Sequence, residues 1–361
     1  MPKAKKVNPI RVVYLLGAGA TQAEVDYLGA HPVSLLMRDT DREGVATRVL
    51  NKVGRRWRLF LGENAAIDIE KLISLLAASG VDDLTQLAER IRKLYFWDIR
   101  NSLVTAGIIE RPKLVQGLLE MHSNDHFRQE VEELRGIITT NHDGLLQIAS
   151  QEVFGGINLG FLFNSEAGLT PTAPNRIPPI LQLHGSFTWR FAVPIRVNKL
   201  VARLPYSRDM SWIPPTILKE SKNYPFNKIT ALAYELLAKN CDLLRIVGSS
   251  LTQNDWNVLS LIFNAQRHRE IMRDVAFQVQ LITSHKTGIS IAEQCSYLKN
   301  LTPIGFLSEG RFARYKNKTI PSEMKNVFAY WLKEKIYYHR KRGEFGAADL
   351  TDTMAEIAGG I

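Results

Sequence analysis

The sequence predicts an α/β fold, a parallel sheet with helices on both faces, and three observations predict it. Five short apolar runs are spread along the chain, segments of helical periodicity lie between them, and four of the runs lead into turns built from glycine and small polar residues. Near-continuous apolar runs of this kind suit strands buried on both faces, as parallel strands are. Helices alternating with such strands supply the cover.

The first run, residues 11–16, follows Lys3, Lys5 and Lys6 and so imitates a secretory signal. Arg11 abuts the apolar stretch and Gly17 and Gly19 interrupt it, which favours a buried strand followed by a turn. The other strand-like runs are 134–139, 179–183, 242–247 and 275–283. Between the first two runs, residues 62–127 carry apolar side chains at helical spacing. Ile69, Leu72, Ile73 and Leu76 share one face, as do Leu84, Leu87, Ala88, Ile91, Leu94 and Tyr95. This segment is expected to be a helical insertion in a domain made of residues 1–61 and 128–315, with 316–361 as a C-terminal helical extension. A weaker insertion, rich in glycine and proline, is expected between Phe154 and Pro178, and the stretch from Val193 to Pro225 reads as loop. The extension is expected to hold a helix from about Ser322 that ends in the basic segment Tyr337 to Arg342, where cations suit the helix dipole.

Composition narrows the function classes. With 361 residues, 45% of them hydrophobic, the chain can bury a sizeable core. No run approaches the roughly 18 consecutive apolar residues of a membrane span. Cys241 and Cys295 are the only cysteines, too few for a disulfide framework or a four-thiolate zinc site, and they suggest a reducing, cytoplasmic setting. The net charge of +10 favours anionic partners. Without an interleaved aromatic and basic stripe it reads first as a solvated basic surface, and nucleic acid is not excluded.

Chemistry-bearing residues collect where the strands end. GAGAT, Gly17 to Thr21, follows the first run; its glycines suit either the approach of a pyrophosphate to a helix N-terminus or an ordinary strand-to-helix turn. The second run leads into Thr140, Asn141, His142 and Asp143, which could orient a polar ligand or cap a turn. The third ends at His184, Gly185 and Ser186, a histidine placed either for proton transfer near neutral pH or for structure. The fourth ends at Gly248, Ser249 and Ser250, with Asp255 beyond, small groups that line nucleotide pockets or begin helices. Together they put four such turns at the carboxyl ends of parallel strands, the edge at which Rossmann-like sheets bind ligands. Other sites are weaker. His122 and His126 are four apart but lack the glutamate of a zincin motif, and Ser186 lacks the GxSxG of a nucleophile elbow. No metal site is expected.

A GAG loop, a TxNxD segment, an HG dipeptide and a GSSL segment, in this order from Gly17 to Asp255, resemble the sirtuin superfamily, most closely the bacterial sirtuin-like NADases of antiphage defence, including those paired with a HerA-type ATPase. The resemblance implies that Gly17, Ala18, Gly19 and Thr21 contact the phosphates of NAD. It also implies that Asn141 and Asp143 lie beside the nicotinamide and its ribose, that His184 is the catalytic histidine, and that Gly248, Ser249 and Ser250 lie near the adenosine ribose. The chain departs from the protein deacylases in this superfamily: it lacks their paired CxxC motifs and the arginine-bearing acidic loop after the GAG turn, and it carries the helical insertion instead. His142 stands where an aromatic or aliphatic residue is more usual. The expectation is therefore NAD+ glycohydrolase activity with NAD+ as substrate, ahead of NAD-dependent deacylation or non-catalytic NAD or ADP-ribose sensing. An unchecked NADase would be toxic to its own cell, so a homo-oligomer or a partner is expected to control the pocket, and the resemblance suggests a HerA-type ATPase as that partner.

Overall fold

The first strand, β1 (Ile10–Leu16), shows why both faces of the sheet are apolar. Val12, Tyr14 and Leu16 belong to one core cluster and the alternating Val13 and Leu15 to another, as the two-residue period of a strand requires. The computed structural model describes residues 9–28, 35, 44–61, 68–108, 112, 114–123, 132–164, 168–172, 176–190, 210–213, 225–249, 251, 255–272 and 275–306. The expected C-terminal extension lies outside the described residues.

β1 lies inside a six-stranded sheet whose neighbours are β2 (Glu132–Thr139), β5 (Ile180–Gln182), β8 (Leu243–Val247), β9 (Gln278–Ser284) and β10 (Leu301–Phe306). The order is β10-β9-β8-β1-β2-β5, and every pairing is parallel. From β1 the chain winds outward through β2 to β5, then returns to the other side of β1 for β8, β9 and β10. The winding reverses between β1 and β8, the doubly wound order of a Rossmann-like fold. Leu16 is in register with Thr139 of β2 and Val247 of β8, so the turns after these strands leave the sheet level with one another.

Helices cover both faces. Buried side chains of α1 (Ala18–Leu28), α2 (Val45–Asn51), α4 (Ile69–Ala78), α5 (Asp82–Thr105), α6 (Leu114–Ser123) and α7 (Leu145–Phe154) join the cluster of Val12, Tyr14 and Leu16. Those of α8 (Phe226–Asn240), α9 (Trp256–Ile271) and α10 (His285–Gln294) join that of Val13 and Leu15. The short α3 (Arg55–Leu61) leaves Leu59 and Phe60 exposed.

The helical stripes of the sequence are those the structure buries. Ile69, Leu72, Ile73 and Leu76 face inward on α4, and Leu87, Ala88, Ile91 and Tyr95 do so on α5. Each fully buried Leu or Ile here stabilises the fold by about 1.5–3 kcal/mol relative to exposure. Asp68 caps α4 by accepting from the amides of Glu70 and Lys71. The buried Asp98 of α5 holds α2 by pairing with Arg48 at 2.6 Å and Lys52 at 2.7 Å.

Some elements were not legible in advance. β10 carries Pro303 and Gly305, which dilute a strand pattern and are tolerated because this strand is at the edge of the sheet. The loop expected between Phe154 and Pro178 contains a hairpin of β3 (Phe161–Asn164) and β4 (Gly168–Pro171). Gly185, with φ +73°, turns the chain out of the main sheet into β6 (Gly185–Arg190), which pairs antiparallel with β7 (Met210–Trp212). Most of the expected loop 193–225 lies outside the described residues. No helix among the described residues is long and apolar enough to cross a membrane.

One polar row runs through the core. Tyr14, Arg245 and Gln280 are side by side on β1, β8 and β9, and Arg245 donates to Tyr14 at 3.1 Å and to Gln280 at 3.0 Å. Its other partner is Glu132, held by two bonds of 2.7 Å.

Candidate functional site

The turns that follow β1 and β8 touch through backbone, and glycine makes the contact possible. A Cβ on Gly17 would stand 2.7 Å from Ser249 Cα, and one on Gly19 2.6 Å from the Gly248 carbonyl. Gly248 itself has φ +62° and no room for a side chain, because a Cβ would come 2.2 Å from the Ala20 nitrogen. The amide of Gly17 donates to the Val247 carbonyl at 3.0 Å and that of Gly19 to the Gly248 carbonyl at 2.7 Å. These two N–H groups, which the sequence offered to a pyrophosphate, are directed at the neighbouring turn. Their glycines let the two turns pack together where the strand order reverses. Ala18 is exposed, and α1 starts at it.

On the β2 side a relay of side chains joins three motifs. Asn141 donates through Nδ2 to the Gly17 carbonyl and to Thr21 Oγ1, both at 2.9 Å. Thr21 Oγ1 in turn donates to Asp143 Oδ2 at 2.6 Å, and Asp143 Oδ1 accepts from the Leu145 amide at 3.1 Å. With both Nδ2 hydrogens committed, the Asn141 amide is held in one orientation. Burial pushes the Asp143 carboxyl above its ordinary value, against the opposing pull of the Thr21 and Leu145 hydrogen bonds. Asp143 thus holds Thr21 and the start of α7. Gln182, at the end of β5, reaches the carbonyls of Asn141 at 3.4 Å and Asp143 at 3.2 Å. It was not singled out from the sequence because a lone glutamine in a strand carries no motif.

His184 stands two residues past the end of β5, at the carboxyl edge of the sheet, and is buried. The ring of His142 lies 6.1 Å away, stacks on Phe187 and meets Trp212 edge-on, while its Nε2 contacts the Ile213 carbonyl at 2.9 Å. His142 therefore fastens the β6–β7 hairpin beside the site, which gives this unusual histidine a structural use. Asn257, on the first turn of α9, places its Nδ2 3.3 Å from His184 Nε2. Neither its spacing nor its type marks it in the sequence.

The β8 turn brings Gly248 and Ser249 against the β1 turn, while Ser250 lies outside the described residues. Ser249 Oγ accepts from the amide of Leu251, a buried residue held at φ +43°. Exposed Trp256 follows at the start of α9. The weaker candidates resolve as structure. Ser186 Oγ donates to the His142 carbonyl at 3.1 Å, and His122 is buried with its Nε2 3.0 Å from the Tyr14 hydroxyl. His126 lies outside the described residues. Among the described residues no group of three or more His, Cys, Asp or Glu is placed to hold a metal ion.

Fold and site together define a doubly wound α/β protein whose polar turns meet at the carboxyl edge of its sheet, where such folds bind ligands. In comparisons with known proteins, no family model matches the chain and no curated protein matches it.

Proposed function

We propose that the sheet edge where the β1 and β8 turns meet binds NAD+, and that the protein hydrolyses its nicotinamide–ribose bond there, releasing nicotinamide and ADP-ribose. The observation that carries this reading is the meeting of Asn141, Thr21 and the two glycine turns in one hydrogen-bonded floor, with His184 at the same edge. The N-termini of α1 and α9 both open on that edge and favour a pyrophosphate electrostatically.

Nicotinamide leaves as a neutral base, because the pyridinium nitrogen takes the electron pair of the breaking C–N bond. Positive charge develops at the ribose C1′, as in other glycosyl cleavages. Asn141 Oδ1, fixed by its two donated bonds, orients a ribose hydroxyl or the attacking water. His184 takes the proton that the water or hydroxyl gives up as the new C–O bond forms. Water supplies the oxygen, and the proton goes on to solvent.

The test is nicotinamide and ADP-ribose release by the purified chain, alone and with a HerA-type ATPase, for wild type, Asn141→Ala and His184→Ala. Release abolished by both substitutions in folded protein supports hydrolysis here. Release only when an acylated peptide is present would turn the reading to deacylation, and NAD+ binding without release to a sensor. Control by a homo-oligomer or by the ATPase is part of the same proposal, and its readout is a change in release on assembly.

A further inference from the structure

We infer that Asn257 is a positioning residue for His184, one that selects which imidazole nitrogen carries the proton and rotates its own amide when His184 takes up another. The inference rests on the proposed role of His184. Asn257 Nδ2 lies 3.3 Å from His184 Nε2 and the two residues are 73 positions apart, so the contact is made by the tertiary fold. Asn257 Oδ1, by contrast, is buried with no hydrogen-bond partner among the described residues. An unpaired buried carbonyl is unfavourable, and a residue kept for stability alone would satisfy it.

The pairing dictates chemistry. When Nδ2 donates, His184 Nε2 must be the lone-pair nitrogen, with the proton on Nδ1. That is a base ready at Nε2. Once Nε2 is protonated it can no longer accept, and the amide must present Oδ1 instead. A half-turn about the Cβ–Cγ bond does this; the torsion is close to two-fold, and the oxygen that moves has no bond to break. The same side chain therefore matches His184 before and after proton uptake, and the orphaned oxygen is the part held in reserve.

Tertiary contacts set where the two residues stand. Ile213 donates its amide to the His184 carbonyl at 2.8 Å, which fixes the backbone at this point. Gly248 and the left-handed Leu251 set where α9 begins, and so where Asn257 stands. Among the described residues, the ionisable groups beside the pair include His142, whose ring is 6.1 Å from that of His184, and Asp255, two residues before Asn257.

The experiment is a histidine NMR titration of the full chain labelled at imidazole carbon, with His184→Ala to assign the resonance, on wild type, Asn257→Asp and Asn257→Leu. Both substitutions are near in size to asparagine, and thermal melts confirm folding. Asn257→Asp fixes an anionic acceptor at Nε2 and should raise the His184 titration midpoint by about one pH unit, whereas Asn257→Leu, which cannot accept, should lower it. In nicotinamide release the acid limb of the pH profile should move in the same directions, with kcat down about tenfold or more in Asn257→Leu and KM little changed. Unchanged His184 titration in both folded variants overturns the inference. Shifted titration in a chain that never cleaves NAD+ upholds the pairing and rejects the hydrolase reading, so the two failures are distinguishable.

Discussion

Replacing Glu132 with leucine removes the carboxylate that holds Arg245, whose guanidinium is wholly inaccessible to solvent. Among its other contacts, the Tyr14 hydroxyl and the Gln280 side chain are neutral acceptors and do not replace the lost carboxylate charge. Burial also pushes the Tyr14 hydroxyl well above its ordinary range, with the nearby Arg245 pulling the other way, so Tyr14 does not ionise to replace the carboxylate. Nor does Arg245 shed its proton, since a guanidinium stays protonated in proteins even when buried. Breaking a buried pair by removing one partner costs about 3–5 kcal/mol, a large part of the roughly 5–15 kcal/mol that stabilises a native protein. Glu132→Leu should therefore lower Tm by about 10 °C or more. Glu132→Leu combined with Arg245→Met removes both charges and should recover most of the loss. Urea unfolding followed by circular dichroism, on wild type, both single variants and the double variant, measures the cycle. A single variant within about 0.5 kcal/mol of wild type, or a double variant no better than the singles, would refute this reasoning.

Gly19→Ala drives a methyl group against the Gly248 carbonyl, so the two turns must part; it should cost about 1–3 kcal/mol by thermal or urea unfolding and abolish NAD+ binding measured by calorimetry. Asp98→Ala leaves the cationic Arg48 and Lys52 without their shared carboxylate and should destabilise the α2–α5 contact by about 1–3 kcal/mol, again by urea unfolding. Asp143 has a folded-state value raised above its unfolded one, so the folded chain holds this proton more tightly. Its contribution is complete below the ordinary carboxylate value near 3.8 and is lost as pH rises through the raised value. Wild-type stability relative to Asp143→Asn should accordingly fall between those two points, by at most about 1.4 kcal/mol per pH unit, and then level off. A difference independent of pH from 4 upward would contradict the burial argument.

Local pattern made much of this protein readable. The five runs became β1, β2, β5, β8 and β9 because continuous apolar stretches have few stable states other than strands buried on two faces. The stripes on α4 and α5 were legible for the same reason, since periodicity records which side of a helix is dry. β10 was not, as Pro303 and Gly305 are acceptable only at an edge, and being at an edge is a property of the sheet.

The sequence by itself determined the order of the four turns and the residue types they offer, since each turn is a short contiguous stretch. Only the tertiary structure decided what those residues do to one another. It turned the amides of Gly17 and Gly19 toward the β8 turn, and it made Asp143 a support for Thr21. It gave His142 to the β6–β7 hairpin and set Asn257 against His184. Each of these contacts joins residues from different turns or elements, so its geometry depends on strand order, register and the seat of a helix, which no local stretch of sequence encodes.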